Sequence, residues 1–153
     1  ASMSFTGLDV FDTTLQKSNL WLKEIMEELG TSDRHRAYLA LRSTLHALRD
    51  RLTVDEAVQL GAQLPMLIAG FYYQGWDPSD KSRKVRQRED FLRQIQEAFR
   101  RDPLMGAPDV NAEQVARAVF KVMARRVSQG EIEDVTGILP REIAELWPEE
   151  SRR

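Results

Sequence analysis

Residues 41–72 reappear without a gap 75 positions later, as residues 116–147. Arg42 meets Arg117, Arg51 meets Arg126 and Glu56 meets Glu131. Leu64-Pro65 meets Leu139-Pro140, and Ile68-Ala69 meets Ile143-Ala144. Elsewhere the pairing keeps residue character: Leu45, Leu48, Leu52, Thr53 and Leu60 meet Phe120, Met123, Val127, Ser128 and Val135, and Phe71-Tyr72 meets Leu146-Trp147. The preceding segment matches at an offset of 70, Trp21-Leu22-Lys23 with Phe91-Leu92-Arg93 and Ile25 with Ile95. Any two amphipathic helices share an apolar stripe, but a stripe does not require a hydroxyl, a glutamate and a Leu-Pro at one fixed spacing. The expectation is a tandem duplication of one helical unit.

The unit reads as helix throughout, because apolar residues return in steps of three and four and strand alternation is nearly absent. The first stripe is Phe11, Leu15, Leu22, Ile25, Met26 and Leu29, closed by Gly30; glycine is the usual residue just past a helix end. Thr31 or Ser32 is the expected cap of the next helix, whose stripe is Tyr38, Leu41, Leu45, Leu48 and Leu52. Thr53 opens a capping box with Glu56, in which the hydroxyl accepts the glutamate's amide and the glutamate reaches back; Ser128 and Glu131 repeat it. Pro65 and Pro140 restart the chain, since proline is tolerated at a first helical position. The segment QGWDPSDKS (residues 74–82) reads as a linker and DPLMGAPDVN (residues 102–111) as a loop, with Asn111 capping the helix that follows.

The expected fold class is therefore all-α, a helical bundle of two pseudo-symmetric tandem repeats, each with two long and two short helices. Residues 1–8 read as a disordered tail or a cloning remnant, with Ala1-Ser2 ahead of a native Met3, and residues 9–150 as a single helical domain with repeat one at about 10–76 and repeat two at about 84–148. A chain of 153 residues with 42% hydrophobic content is long and apolar enough to bury a core. It has no cysteine, which removes disulfides and thiolate chemistry and suits a reducing cytoplasm. No stretch approaches the roughly 18 apolar residues of a membrane span, and a net charge of −2 gives no global attraction to nucleic acid or anionic lipid.

The order of a long helix, an arginine-bearing second helix, a capping box, Leu-Pro and a closing aromatic resembles the bacterial family of unknown function DUF2267. Residues 37–73 and 115–147 carry the resemblance, most clearly in the ending LPREIAELW (residues 139–147). It implies an all-helical bacterial domain and brings no activity, cofactor or site residue with it.

The residues themselves exclude several chemistries. Di-iron bundles need Glu-x-x-His pairs, whereas His35 and His46 each follow a serine, Ser32 and Ser43, at that spacing. Both histidines are expected to be solvated, with no metal or cofactor bound. The carboxylates Glu131, Glu133, Asp134, Glu142, Glu145, Glu149 and Glu150 read as a solvated face rather than as converging acid–base groups. No phosphate-cradling glycine loop or nucleophile motif is present, so no enzyme is expected. Two features suggest an interaction surface. One is the run KSRKVRQR, with Lys81, Arg83, Lys84, Arg86 and Arg88, continuing into Arg93, Arg100 and Arg101. The other is Tyr73 and Trp76, which lack aromatic counterparts in the second unit (Pro148 and Ser151). Phe71 and Tyr72 have counterparts and are expected in the core.

The reading that follows is a cytoplasmic, non-enzymatic interaction or regulatory module with an unknown protein partner or self-association. The alternative is a weak nucleic-acid binder using residues 81–101, although the helix MLIAGFYY (residues 66–73) offers no base-reading side chain. If Thr53 and Ser128 are both N-caps, Thr53→Ala and Ser128→Ala should each lower stability by about 0.5–2 kcal/mol. Calorimetry showing no loss in either variant would contradict the capping assignment.

Overall fold

Helix-closing and helix-opening residues divide the chain as its local chemistry requires. The structure, a computed structural model, describes residues 5–80, 87–105 and 110–152. Among them are eight α-helices and no strand: α1 (Asp9–Leu29), α2 (Arg34–Arg49), α3 (Val54–Gly61), α4 (Met66–Tyr73), α5 (Arg88–Arg101), α6 (Ala112–Arg126), α7 (Gln129–Ile138) and α8 (Arg141–Ala144), with a 3₁₀ turn at Glu149–Ser151. None of these helices is long and apolar enough to cross a membrane.

Gly30, at φ 67°, ends α1 in the left-handed conformation. Its amide donates to Glu27 O (3.2 Å) and the Thr31 amide to Met26 O (3.0 Å), which satisfies two carbonyls that the helix end leaves without partners. Asp33, not Thr31 or Ser32, caps α2: its carboxylate accepts the amides of His35 (3.0 Å) and Arg36 (3.2 Å). The Thr31 hydroxyl instead accepts the Asp33 amide and fixes that cap. Asn111 caps α6 through the Gln114 amide. Pro65 and Pro140 precede α4 and α8 directly. Helix α8 stops at Ala144, earlier than the apolar spacing suggests, and Leu146 and Trp147 follow in tighter turns bonded to Ile143 O and Ala144 O. Ahead of α1, the Thr6 amide and hydroxyl both bond the Asp12 carboxylate, at 2.9 and 2.8 Å.

The four long helices supply more than half of the core, and α3, α4, α7 and the segment 139–147 complete it. Helix α2 is central, touching α1, α4, α5 and α6, and buries residues around nearly its whole circumference. Leu41, Leu45 and Leu48 fill one side, while Ala37, Ala40, Ser43, Thr44 and Ala47 let neighbours approach on the others. Helix α1 buries Trp21 and Ile25. Phe11, placed in its stripe by spacing alone, is 53% exposed. Phe120 stacks on Trp147, with centroids 4.1 Å apart, and joins it to Phe91. Tyr72 is fully buried, with its hydroxyl on Ala57 O (2.7 Å), and Phe71 packs at the core edge.

Helices α3 and α7 meet each other. Thr53 and Ser128 accept the amides of Glu56 (3.2 Å) and Glu131 (3.3 Å), so half of each capping box forms. The reciprocal half does not. Both glutamates are buried at 7% exposure and bring carboxylate oxygens to within 4.8 Å of one another. Glu131 is therefore not part of a solvated acidic face. Burial, and then the neighbouring Glu56, push its carboxyl up to about 8.

That shift fixes a sign. The unfolded carboxyl titrates near the ordinary value of 4.5, so between 4.5 and about 8 the folded chain binds more protons than the unfolded one. The stabilising contribution is complete below 4.5 and is lost as pH rises through about 8. Glu131→Gln should gain stability relative to the parent as pH rises through this window in buffer free of divalent cations. Urea midpoints of parent and variant that differ equally at the two ends of the window would contradict the account.

Candidate anion-binding cleft

On α2, Arg42, His46 and Arg49 follow one another at steps of four and three, which places them on one helical face. That face looks toward the end of α4, the segment 74–80 and the side of α5 that carries Gln94 and Arg101. Two adjoining cavities of about 460 and 420 Å³ open there, and Arg42, His46, Gln94 and Arg101 line both.

Arg49 is the base of the cleft and is 4% exposed. Its guanidinium donates to Tyr72 O (2.7 Å) and Gln74 O (2.9 Å) and pairs with Asp50 at 3.0 Å. His46 Nε2 donates to Phe71 O at 2.6 Å. Helix α4 has no left-handed glycine cap, so these two side chains take up the carbonyls its end exposes. Gly75, at φ 73°, then turns the chain so that Trp76 faces the larger cavity. Burial lowers the His46 pKa, and the charges of Arg49 and Arg42 lower it further, against the pull of the Phe71 carbonyl.

Asp50 also accepts from Gln94 Nε2 (2.8 Å), and Gln94 Oε1 accepts from Arg51 (2.8 Å), whose guanidinium lies 5.2 Å over the Phe91 ring. The charges of Arg49 and Asp50 are thus matched internally. Those of Arg42 and Arg101 are not. Arg42 reaches only Gln74 Oε1 at 3.5 Å, and its Nε is buried without a partner. No carboxylate among the described residues pairs with Arg42 or Arg101. Two guanidiniums from different helices face one cleft outside any ion pair, although Asp50, Asp77 and Asp80 also line the larger cavity and Asp90 and Glu97 the smaller. An oxyanion is the chemical class they can hold.

The residues singled out by sequence are divided by the fold. Trp76 lines the cleft, half-buried and tilted against Tyr73 at 5.7 Å. Tyr73 lies over Gly61, where any added methyl would collide with its ring, and its hydroxyl faces Val58 O. Arg88 is drawn away to Glu113 at 2.8 Å. Lys81, Arg83, Lys84 and Arg86 lie outside the described residues. His35, expected in solvent, is half-buried and holds both oxygens of Asp102 at 3.0 Å, tying the start of α2 to the end of α5; His46, also expected in solvent, is the cap described above. Arg42 and Arg101 were visible only as a repeat position and the tail of a basic run. Nothing local in the sequence marks them as neighbours.

A family model described as an uncharacterized conserved protein, DUF2267, matches residues 18–146. No curated protein matches the chain.

The two kinds of arginine should separate on mutation. Arg49→Met removes the ion pair with Asp50 and the bonds to the Tyr72 and Gln74 carbonyls, and should cost about 3–5 kcal/mol. Arg42→Gln removes no strong bond and should stay within about 0.5 kcal/mol of the parent. Urea denaturation checks both, and an equal loss in the two variants would contradict the assignment of roles.

Proposed function

The chain belongs to the DUF2267 family, and we propose that it is a non-enzymatic interaction module of the bacterial cytoplasm that holds a carboxylate or phosphate group of a partner between α2 and α5. The observation that supports this reading is the pair Arg42 and Arg101, lining both cavities with no carboxylate partner among the described residues. Trp76 offers an apolar wall beside them, so a ligand with an anionic head and a flat or aliphatic neighbour fits the cleft. Binding is favoured over catalysis by the engagement of the reactive groups nearby. The Ser43 hydroxyl donates back to Ala40 O and His46 donates to Phe71 O, so neither is aimed at the other.

The same proposal treats residues 9–150 as one domain of two copies of a helical unit. Helix lengths support it, running long, long, short, short in each half. So do the contacts: α1 meets α6 as α5 meets α2, while α2 meets α6 and α3 meets α7. On this reading the cleft is a departure from symmetry, because Lys121 and Ala124 stand where His46 and Arg49 stand in the first unit.

Nucleic-acid binding through residues 81–101 has less support. In the described part of that segment, Arg88 is paired with Glu113, Arg93 with Asp90 and Arg100 with Glu97, which leaves Arg101 alone outside an ion pair.

Titration of the chain with inorganic phosphate and with a glutamate-rich peptide, followed by tryptophan fluorescence and by calorimetry, tests the proposal. At least one should bind saturably, and Arg42→Gln and Arg101→Gln should each weaken it by about tenfold or more, the worth of one charged hydrogen bond. Duplex DNA in a parallel gel shift should bind little at physiological salt. Unchanged affinity in the double variant, or tight duplex binding with a salt slope near −0.9 per phosphate contacted, would overturn it.

A further inference from the structure

We propose that Glu56, Glu131 and Asp134 form a binding site for a hard divalent cation, Ca²⁺, Mn²⁺ or Mg²⁺, at the junction of α3 and α7. Each of the three offers one carboxylate oxygen, and these oxygens all lie within 4.8 Å of one another. Oxygens on opposite sides of one Ca²⁺ ion, each about 2.3–2.6 Å from it, are separated by a comparable span. The spacing suits a single shared ion.

A second observation, independent of that proximity, comes from hydrogen bonding. Glu56 Oε1 and Glu131 Oε2 are buried and have no hydrogen-bond partner, on residues only 7% exposed. Buried polar oxygens are satisfied in the great majority of cases. Here two orphans occur on facing carboxylates, in a place where the neighbouring charges acting on Glu131 are Glu56 and Asp134, both acidic. Among the described residues no basic side chain forms an ion pair with them. Their own backbone amides are already served by Thr53 and Ser128, so the carboxylates are released from capping and turn toward each other. Each stands in the first turn of its helix, where the backbone dipole favours the ionised form.

Asp134 completes the set. It lies one turn after Glu131 on the same face of α7 and is exposed, which supplies a third ligand and a route from solvent. An all-oxygen donor set selects hard ions over zinc, which prefers nitrogen and sulfur. Because Glu56 belongs to α3 and Glu131 to α7, an ion here braces two helices far apart in the chain.

The test starts from full-length chain freed of metal with chelator. Millimolar CaCl₂, MnCl₂ and MgCl₂ are added separately while thermal unfolding is followed, and Mn²⁺ binding is read directly by electron paramagnetic resonance. At least one cation should raise the unfolding midpoint, as a ligand specific for the folded state must. The variant Glu56→Gln/Glu131→Gln keeps shape and removes the charge. It should fold, lose the shift and weaken Mn²⁺ binding by about tenfold or more. Asp134→Asn should give a smaller loss. A parent whose midpoint no cation moves would overturn the site, since the facing carboxyls then share a proton instead. A double variant that responds to cations as the parent does would overturn it equally, because binding then lies elsewhere.

Discussion

Arg49 carries a full charge into the interior of the bundle, and the arrangement of the first half follows from how that charge is met. Asp50, its neighbour in sequence, supplies the counter-charge at 3.0 Å, and both side chains are almost wholly buried. A buried ion pair repays its desolvation only when its remaining donors and acceptors are also satisfied. The carbonyls of Tyr72 and Gln74 take the remaining donors of Arg49, and Gln94 donates to Asp50. Those bonds hold the end of α4, the turn at Gly75 and the flank of α5 against α2. The cleft is the space between the parts so held. Arg42, one turn before His46, is left out of the network, and its charge faces outward with that of Arg101.

A similar economy governs the junction of α3 and α7. In the sequence, Glu56 and Glu131 look like the second half of two capping boxes. In the structure the hydroxyls of Thr53 and Ser128 do the capping alone, and the glutamates meet beneath the helices. The Ser128 amide is also taken by Gln63 from the end of α3, so each helix helps to close the other. Like charges placed together at 7% exposure are costly. Retaining both there sets a stability cost that a proton or a cation must relieve.

Much of the fold was legible because it rests on local rules. Gly30, Thr53, Ser128, Asn111, Pro65 and Pro140 act within four residues of themselves, and each stands where a helix starts or stops. Asp33 was missed since three candidate caps stand in a row, and the choice depends on which side chain reaches two amides. Phe11 was misplaced for another reason: periodicity identifies a face but not how far along that face the neighbours extend. The candidate site was legible only in fragments. Trp76 was visible because its counterpart, Ser151, is not aromatic. The pairing of Arg42 with Arg101, of His35 with Asp102 and of Glu56 with Glu131 spans 59 to 75 residues, and no local pattern announces a contact that tertiary packing creates.

The central claim is that two particular guanidiniums, alone among those of the cleft, are available to an anion. Proton–nitrogen correlation spectra of the arginine Nε–H groups, recorded while inorganic phosphate is added, address it residue by residue. The account predicts that the Arg42 and Arg101 signals move together and saturate while that of Arg49, committed to Asp50 and the α4 carbonyls, stays in place. Movement of Arg49 with them, or a uniform unsaturating drift of every exposed arginine, would contradict it.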